Sequence, residues 1–233
     1  MRRRRIVAAA VAAPLVSASV TIAAVIATGA HRRSGLTRAE ARARLSSDDL
    51  LPDATVQNDR AGVIEAPPGA VWPWLVQLGQ DKSGFYSYEF LENLAGCKID
   101  GADRIVPEWQ HLRVGDCLRL HPEVALRIAR LDPATALAAT SAGGRAPGTA
   151  TLEMTWAFHL ESVAHRTGQP PATRLHIRER YRTRDRRTRA LVEVTSLLSA
   201  VMTRRMLSRL AGLAGAPEAT PGNPRIDPPP MSG

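Results

Sequence analysis

Residues 66–116 read APPGAVWPWLVQLGQDKSGFYSYEFLENLAGCKIDGADRIVPEWQHLRVGD, and the remainder of the chain is organised around them. Most of the chain's aromatic residues lie here. The stretch opens on Ala66-Pro67-Pro68-Gly69, where proline suits a helix start because the first N–H groups lack intrahelical partners. The spacing predicts a helix from about Gly69 to Leu78, with Pro73 near its first turn, Gly79 as C-cap, and Trp72, Leu75 and Val76 on the inward face. A Gly-aromatic loop, Gly84-Phe85-Tyr86, follows. Phe90 to Leu94 suggests a second short helix ended by Gly96, and Val114-Gly115-Asp116 is a turn.

Beyond that turn the chain reads as strands. Cys117 to His121, Val124 to Leu131 and Ala136 to Thr140 are short candidates, separated by Pro122 and Asp132-Pro133. From Thr151 the alternation is strict: Leu152, Met154, Trp156, Phe158 and Leu160 share one face, and Thr151, Glu153, Thr155, His159 and Glu161 the other. Thr173 to Tyr181 repeats the pattern, with Leu175, Ile177 and Tyr181 against Arg174, His176, Arg178 and Arg180. Such alternation predicts strands with one face covered and one in water. Ala190 to Val194 adds a possible last strand. A helix from about Ser196 to Leu213 carries Leu198, Met202, Met206 and Leu210 at four-residue steps, and lies on the sheet. Upstream, Val56 to Glu65 reads as the first strand. The order is strand, helices, antiparallel strands and one long C-terminal helix, which is an α+β domain.

The blocks APPGAVWPWLVQLGQ, GFYSYEFLENL, ADRIVPEWQHLRVGD and VMTRRML, in this order, carry a family likeness. The chain resembles the START-like, polyketide-cyclase-like (SRPBCC) superfamily, in an actinobacterial branch, over about Leu36 to Leu213. It departs from that pattern at Phe90, where Trp is common, and at Thr203, where an acidic residue is common. The resemblance implies a helix-grip fold, a curved antiparallel sheet wrapped around the long C-terminal helix. It also implies a cavity between the two, without bringing established catalytic residues.

The ends of the chain read differently. Arg2 to Arg5 precede an uncharged run from Ile6 to Ala30, longer than the roughly 20 residues that cross a bilayer as a helix. A signal peptide cut after Thr28-Gly29-Ala30 competes with this reading. Signal h-regions of about 7 to 15 residues are shorter, which favours a transmembrane anchor over residues 1–35. Arginines flank both ends of the run, and the compact cluster before it leans towards an N-terminus inside and a domain outside. Residues 36–55 are expected as a juxtamembrane helix and linker, with Thr37 and Glu40 forming a capping box. The START-like domain then spans 56–213, and 214–233 form a Pro/Gly-rich disordered tail.

The net charge of +9 rests on arginine, since Lys82 and Lys98 are the only lysines. The arginines are scattered and few aromatics lie between them, which argues for a solvated or membrane-facing surface and against nucleic acid. Cys97 and Cys117 form a disulfide if the domain is exported, or are two small buried hydrophobes. No CxxC, HExxH, GxSxG, Walker-type or GxGxxG element is present, and the six histidines are dispersed. No metal, cofactor or catalytic constellation is therefore expected.

Two groups of residues carry candidate chemistry. Tyr86, Tyr88, Glu89, Glu92 and Asn93 form a polar-aromatic group, with Glu89 and Glu92 one turn apart and Tyr88 four before Glu92, as a pocket wall or as loop scaffold. Asp103, Arg104 and Glu108 suggest an ion-pair clasp, with Trp109 as a core anchor. Glu179 falls by parity on the apolar face. Burial there raises a carboxyl pKa and suits an acid or base, unless an inward arginine pairs with it. The expected ligand site is Tyr88, Glu92, Trp156, Phe158, Glu179, Met202 and Met206. It would hold a hydrophobic small molecule, lipids included, as a membrane-anchored binding module. A cyclase- or hydrolase-like enzyme and a ligand-free envelope protein are the alternatives.

Overall fold

The computed structural model describes residues 25, 28–88, 93, 96, 99, 101–143, 152–163 and 171–215. Most of the expected anchor and tail, most of the helix near Phe90, Glu92 and Cys97 lie outside these; of the anchor, residues 25 and 28–35 are described, and of the tail, 214 and 215. Among the described residues, no helix is long and apolar enough to cross a membrane.

Seven strands form one sheet: β1 (Arg33–Ser34), β2 (Val56–Ile64), β3 (Cys117–His121), β4 (Val124–Asp132), β5 (Ala136–Thr140), β6 (Leu152–Val163) and β7 (Ala172–Thr183). Their order is β1-β2-β7-β6-β5-β4-β3. All neighbours are antiparallel except the short β1–β2 pair. Register shifts in β3–β4 and β4–β5 mark bulges, which bend strands and help the sheet curve. Helices α1 (Arg38–Arg42) and α2 (Pro68–Val76) precede the long α3 (Arg186–Gly215), which lies against β2 and β7. The architecture is α+β, a curved sheet with a long C-terminal helix, and it fits a helix-grip arrangement.

The expected strands from Val56 onward appear at nearly the expected bounds. Two local readings are corrected. Ala190–Val194 is helical, because Asp185 accepts from the backbone N–H groups of Arg187 and Thr188 and caps α3 ten residues earlier than expected. In α2 the buried residues are Val71, Trp74, Leu75 and Val76, whereas Trp72 is half-buried. Pro73 sits beyond the first turn and Gln77 is the C-cap.

The larger correction concerns the sheet's outer face, expected in water. Thr155 and Ala157 are buried, and Arg178 is 1% exposed. The cover is the segment expected as a juxtamembrane linker. Thr37 and Glu40 do form the capping box of α1. From there the chain crosses β7, whose arginines meet its acids. Arg174 donates to Glu40 and to the Gly35 carbonyl. The Arg178 guanidinium reaches Asp59 at 2.6 Å, Asp48 at 2.8 Å and the carbonyls of Ala41 and Ala43, both at 2.9 Å. Arg180 pairs with Asp48 and donates to Gln57. Gly35 makes the crossing possible: at φ +72° a Cβ there would lie 1.9 Å from the Ala61 carbonyl oxygen.

His159 lies under this strap with Nε2 2.9 Å from Ser47 Oγ. Burial, with His176 and Arg178 nearby, pushes its pKa down from 6.5 to about 4. The unfolded chain therefore takes up a proton near pH 6.5 that the folded one refuses until about pH 4. Stability should fall across that window, by about 2 to 3 kcal/mol at about 1.4 kcal/mol per tenfold. Urea titrations at a series of pH values should show this loss, and His159→Gln should flatten it. An unchanged slope in the variant would place the acid sensitivity elsewhere.

Candidate functional site

Inner-face parity holds along β6 and β7: Trp156, Phe158, Leu160, Leu175, Ile177 and Glu179 are all buried. Phe158, Leu175 and Ile177 are fully enclosed and pack as core. Towards Met154 and Tyr181 the sheet and α3 separate, leaving a cavity of about 220 Å³. Met154, Trp156, Glu179 and Tyr181 form its floor, and Phe85, Ser87 and Leu120 one end. Thr195, Leu198, Ser199, Met202, Thr203 and Met206 form its roof. Leu198 is 51% exposed, so the cavity reaches the surface at that residue.

Four of the expected ligand-site residues meet here: Trp156, Glu179, Met202 and Met206. Phe158 is too deeply packed to line the cavity. Tyr88 is 40% exposed and lies outside it, under the Arg205 guanidinium at 5.9 Å from the ring centroid. The expected stripe on α3 is also displaced. Its buried face is Val192, Glu193, Ser196, Thr203, Met206 and Leu210, while Leu198, at the cavity mouth, and Val201 are exposed.

Glu179 does not stand alone on the inner face. Arg60, 0% exposed on the same face of β2, places Nη1 3.0 Å from Glu179 Oε1 and donates through Nη2 to the Ser196 carbonyl. Ser199 Oγ donates to Oε1 at 2.5 Å, and Asn58 Nδ2 and the Tyr181 hydroxyl donate to Oε2 at 2.9 and 3.1 Å. Burial pushes the Glu179 pKa up, but Arg60 and these hydrogen bonds outweigh it and hold the carboxyl below its ordinary value. The raised pKa expected of an acid or base is thus replaced by a paired, ionised carboxylate that accepts three hydrogen bonds. Tyr181 is pushed the other way, by burial and by the adjacent negative charge.

These bonds fix what the polar end offers. Tyr181 and Ser199 have committed their protons to Glu179, and the Thr195 hydroxyl donates to the carbonyls of Leu191 and Val192. Their oxygens keep lone pairs, so they suit a partner that donates a hydrogen bond.

The Gly-aromatic loop is held by residues that composition did not single out. Gln77 is fully buried and uses its whole amide: Nε2 donates to the Tyr86 hydroxyl and the Arg104 carbonyl, and Oε1 accepts from Val106 N and Gln110 Nε2. Tyr86, at φ +54°, also accepts from Ser83 and donates to the Trp74 carbonyl; burial first, against those bonds, raises its pKa to about 12. Gln77 therefore does the work expected of an Arg104 clasp, and Arg104 itself is exposed. Trp109 is only half-buried, and Cys117 is exposed rather than a core hydrophobe. Asp116 is the turn residue expected, accepting from Arg113 N.

No protein-family model and no curated protein matches the chain. Similar solved structures include a structural-genomics protein from Chromobacterium violaceum, 13% identical, with 69% of this chain and 98% of that one covered and a TM-score of 0.40. Another, from Arthrobacter aurescens, is 12% identical over 70% of this chain and 87% of that one, at 0.39. A third, from Mesorhizobium loti, is 14% identical over 69% and 97%, at 0.34. With TM-scores this low, none bears on what this chain does.

Proposed function

We propose that this protein is a membrane-anchored, SRPBCC-like binding module for a small apolar molecule that carries a hydroxyl or amine. The observation that carries the reading is the cavity under α3, apolar along Met154, Trp156, Met202 and Met206 and closed at one end by acceptor oxygens around Glu179. Its volume sets the ligand's size. Drug-sized ligands occupy roughly 300 to 1,000 Å³, so about 220 Å³ suits a small ring or the polar-tipped end of a longer molecule. The remainder would project past Leu198. Methionine at 154, 202 and 206 lets the walls adapt to shape.

An acid–base enzyme built on Glu179 is less well supported, because that carboxylate is ion-paired with Arg60, accepts three hydrogen bonds and is stabilised as the anion. Family resemblance alone does not supply a reaction. The cavity likewise favours a binder over an envelope protein that takes no ligand. The anchor reading rests on the uncharged run Ile6–Ala30, and the cluster Arg2 to Arg5 before it supports a domain outside the cell membrane.

Native mass spectrometry and solvent extraction of the full-length protein, purified from its own host, test the reading. A co-purifying small molecule with an N–H or O–H group is the expected result. Met202→Trp, which fills the lip of the cavity, should abolish it while leaving circular dichroism unchanged. Tyr181→Phe should weaken binding by about 1 kcal/mol, roughly fivefold. An empty wild-type protein, or equal loading of the Met202→Trp variant, would overturn the proposal.

A further inference from the structure

Helix α3 shows water an apolar stripe that the core does not use. Leu191, Val194, Leu198 and Val201 are each 51 to 61% exposed. Their spacing of three, four and three puts them along one line of the helix. Arg187, four residues before the stripe, and Arg205, four after it, are exposed and extend the same line. The buried face, through Val192, Ser196, Met206 and Leu210, lies on the opposite side. A contiguous apolar surface bounded by charge marks a contact site.

Where the preceding chain arrives identifies the partner. The uncharged run Ile6–Ala30 ends at the turn Ala30–Arg32, which packs against α3. There Arg32 pairs with Glu193, and His31 Nε2 lies 3.5 Å from the same carboxylate. Glu193 is the neighbour of Val194. A bilayer-spanning segment ending at Ala30 therefore holds the start of the stripe within one side chain of the headgroups. A second copy of the chain is a poorer partner. Pairing two stripes, in either direction, would bring Arg187 and Arg205 against arginines, whereas an anionic lipid surface suits both.

We propose that the outward face of α3 lies in the headgroup region of an anionic bilayer, with Leu191, Val194, Leu198 and Val201 dipping into it. Arg187 and Arg205 then sit on lipid phosphates, and the cavity opens towards the membrane at Leu198. The docking rests on the anchor reading above, and this last element on the binding reading as well. A ligand would then enter from the lipid rather than from water.

The test uses full-length protein, with Cys97→Ser and Cys117→Ser, reconstituted in vesicles of phosphatidylcholine and phosphatidylglycerol. An environment-sensitive fluorophore is attached after Val194→Cys, Leu198→Cys or Val201→Cys, with Glu123→Cys in the exposed β3–β4 turn as control. Positions 194, 198, 201 and 123 are exposed, and circular dichroism of the Cys97→Ser, Cys117→Ser protein checks its fold. Labels at 194, 198 and 201 should shift to the blue and be quenched severalfold by lipids brominated near the headgroup, and the label at 123 should not. Labels as wet at 194, 198 and 201 as at 123 would overturn the docking. So would labels that are shielded but unquenched, since a protein rather than lipid would then cover the stripe. Bound small molecule is scored on unlabelled wild-type protein in the same vesicles. Quenching without a co-purifying molecule defeats the binding reading alone, and a bound molecule with wet labels defeats the docking alone.

Discussion

Arg178→Met should destabilise the protein by about 3 to 5 kcal/mol, the range for breaking a buried ion pair from one side. Against a typical stability of about 5 to 15 kcal/mol this is a large fraction. The guanidinium joins Asp48, Asp59 and two carbonyls of the covering segment to β7. Without it, Asp59 keeps His176 and Gln57, and Asp48 keeps Arg180 and Leu45 N. Both carboxylates then remain buried beside weaker partners. The segment from Thr37 to Thr55 should loosen before the sheet does, so trypsin should cut at Arg42 and Arg44 well before global unfolding. Arg178→Lys should fall between, because one ammonium cannot serve four acceptors in a planar fork. Urea denaturation and timed proteolysis give both numbers. A variant as stable and as resistant as the wild type would show that the strap is held by apolar contact instead.

Arg60→Met should cost a similar amount, about 3 to 5 kcal/mol, by stranding Glu179. Removing both charges with Arg60→Met and Glu179→Leu should restore most of it, since the pair's desolvation cost disappears along with its attraction. The acid profile separates this from simple loss of packing. In the wild type the Glu179 pKa lies below its ordinary 4.5, so its contribution is present above about pH 4.5 and is lost as pH falls through the folded value. In Arg60→Met, only the hydrogen bonds from Ser199, Asn58 and Tyr181 still oppose burial, and the pKa rises. The variant should then gain stability relative to wild type as pH falls towards 5. A deficit that is constant with pH would exclude Glu179 as the stranded group.

Much of the fold was legible because it is written in short-range periodicity. The pleat alternates every residue, so the sequence alone placed β3 to β7 and put Trp156, Phe158, Ile177 and Glu179 on the inner face. The Thr37–Glu40 capping box is also local, spanning one turn of chain. So is the Asp185 cap, whose hydroxyl partner Thr188 lies three residues on; reading β-branched Val192 and Val194 as a strand overlooked it. Propensity is a weak signal and a cap with a packed face overrides it.

Which surfaces meet could not be read from any one segment. Alternation marked Arg174, His176, Arg178 and Arg180 as a polar face, but a polar face is the same pattern whether water or acids cover it. The acids at 40, 48 and 59 lie more than a hundred residues away, and the strand order, with β7 beside β2, brings them onto those arginines. Glu179 likewise had an expected side but no visible partner. Arg60 faces it because antiparallel pairing sets Asn58 opposite Glu179 and Arg60 one inward position further along. The sequence by itself determined strands β2 to β7, their inner face and the presence of a terminal helix, since backbone geometry repeats over a few residues. The tertiary structure alone decided the covered outer face, the charge state of Glu179 and the size of the cavity, because each depends on groups joined only by long-range register and packing.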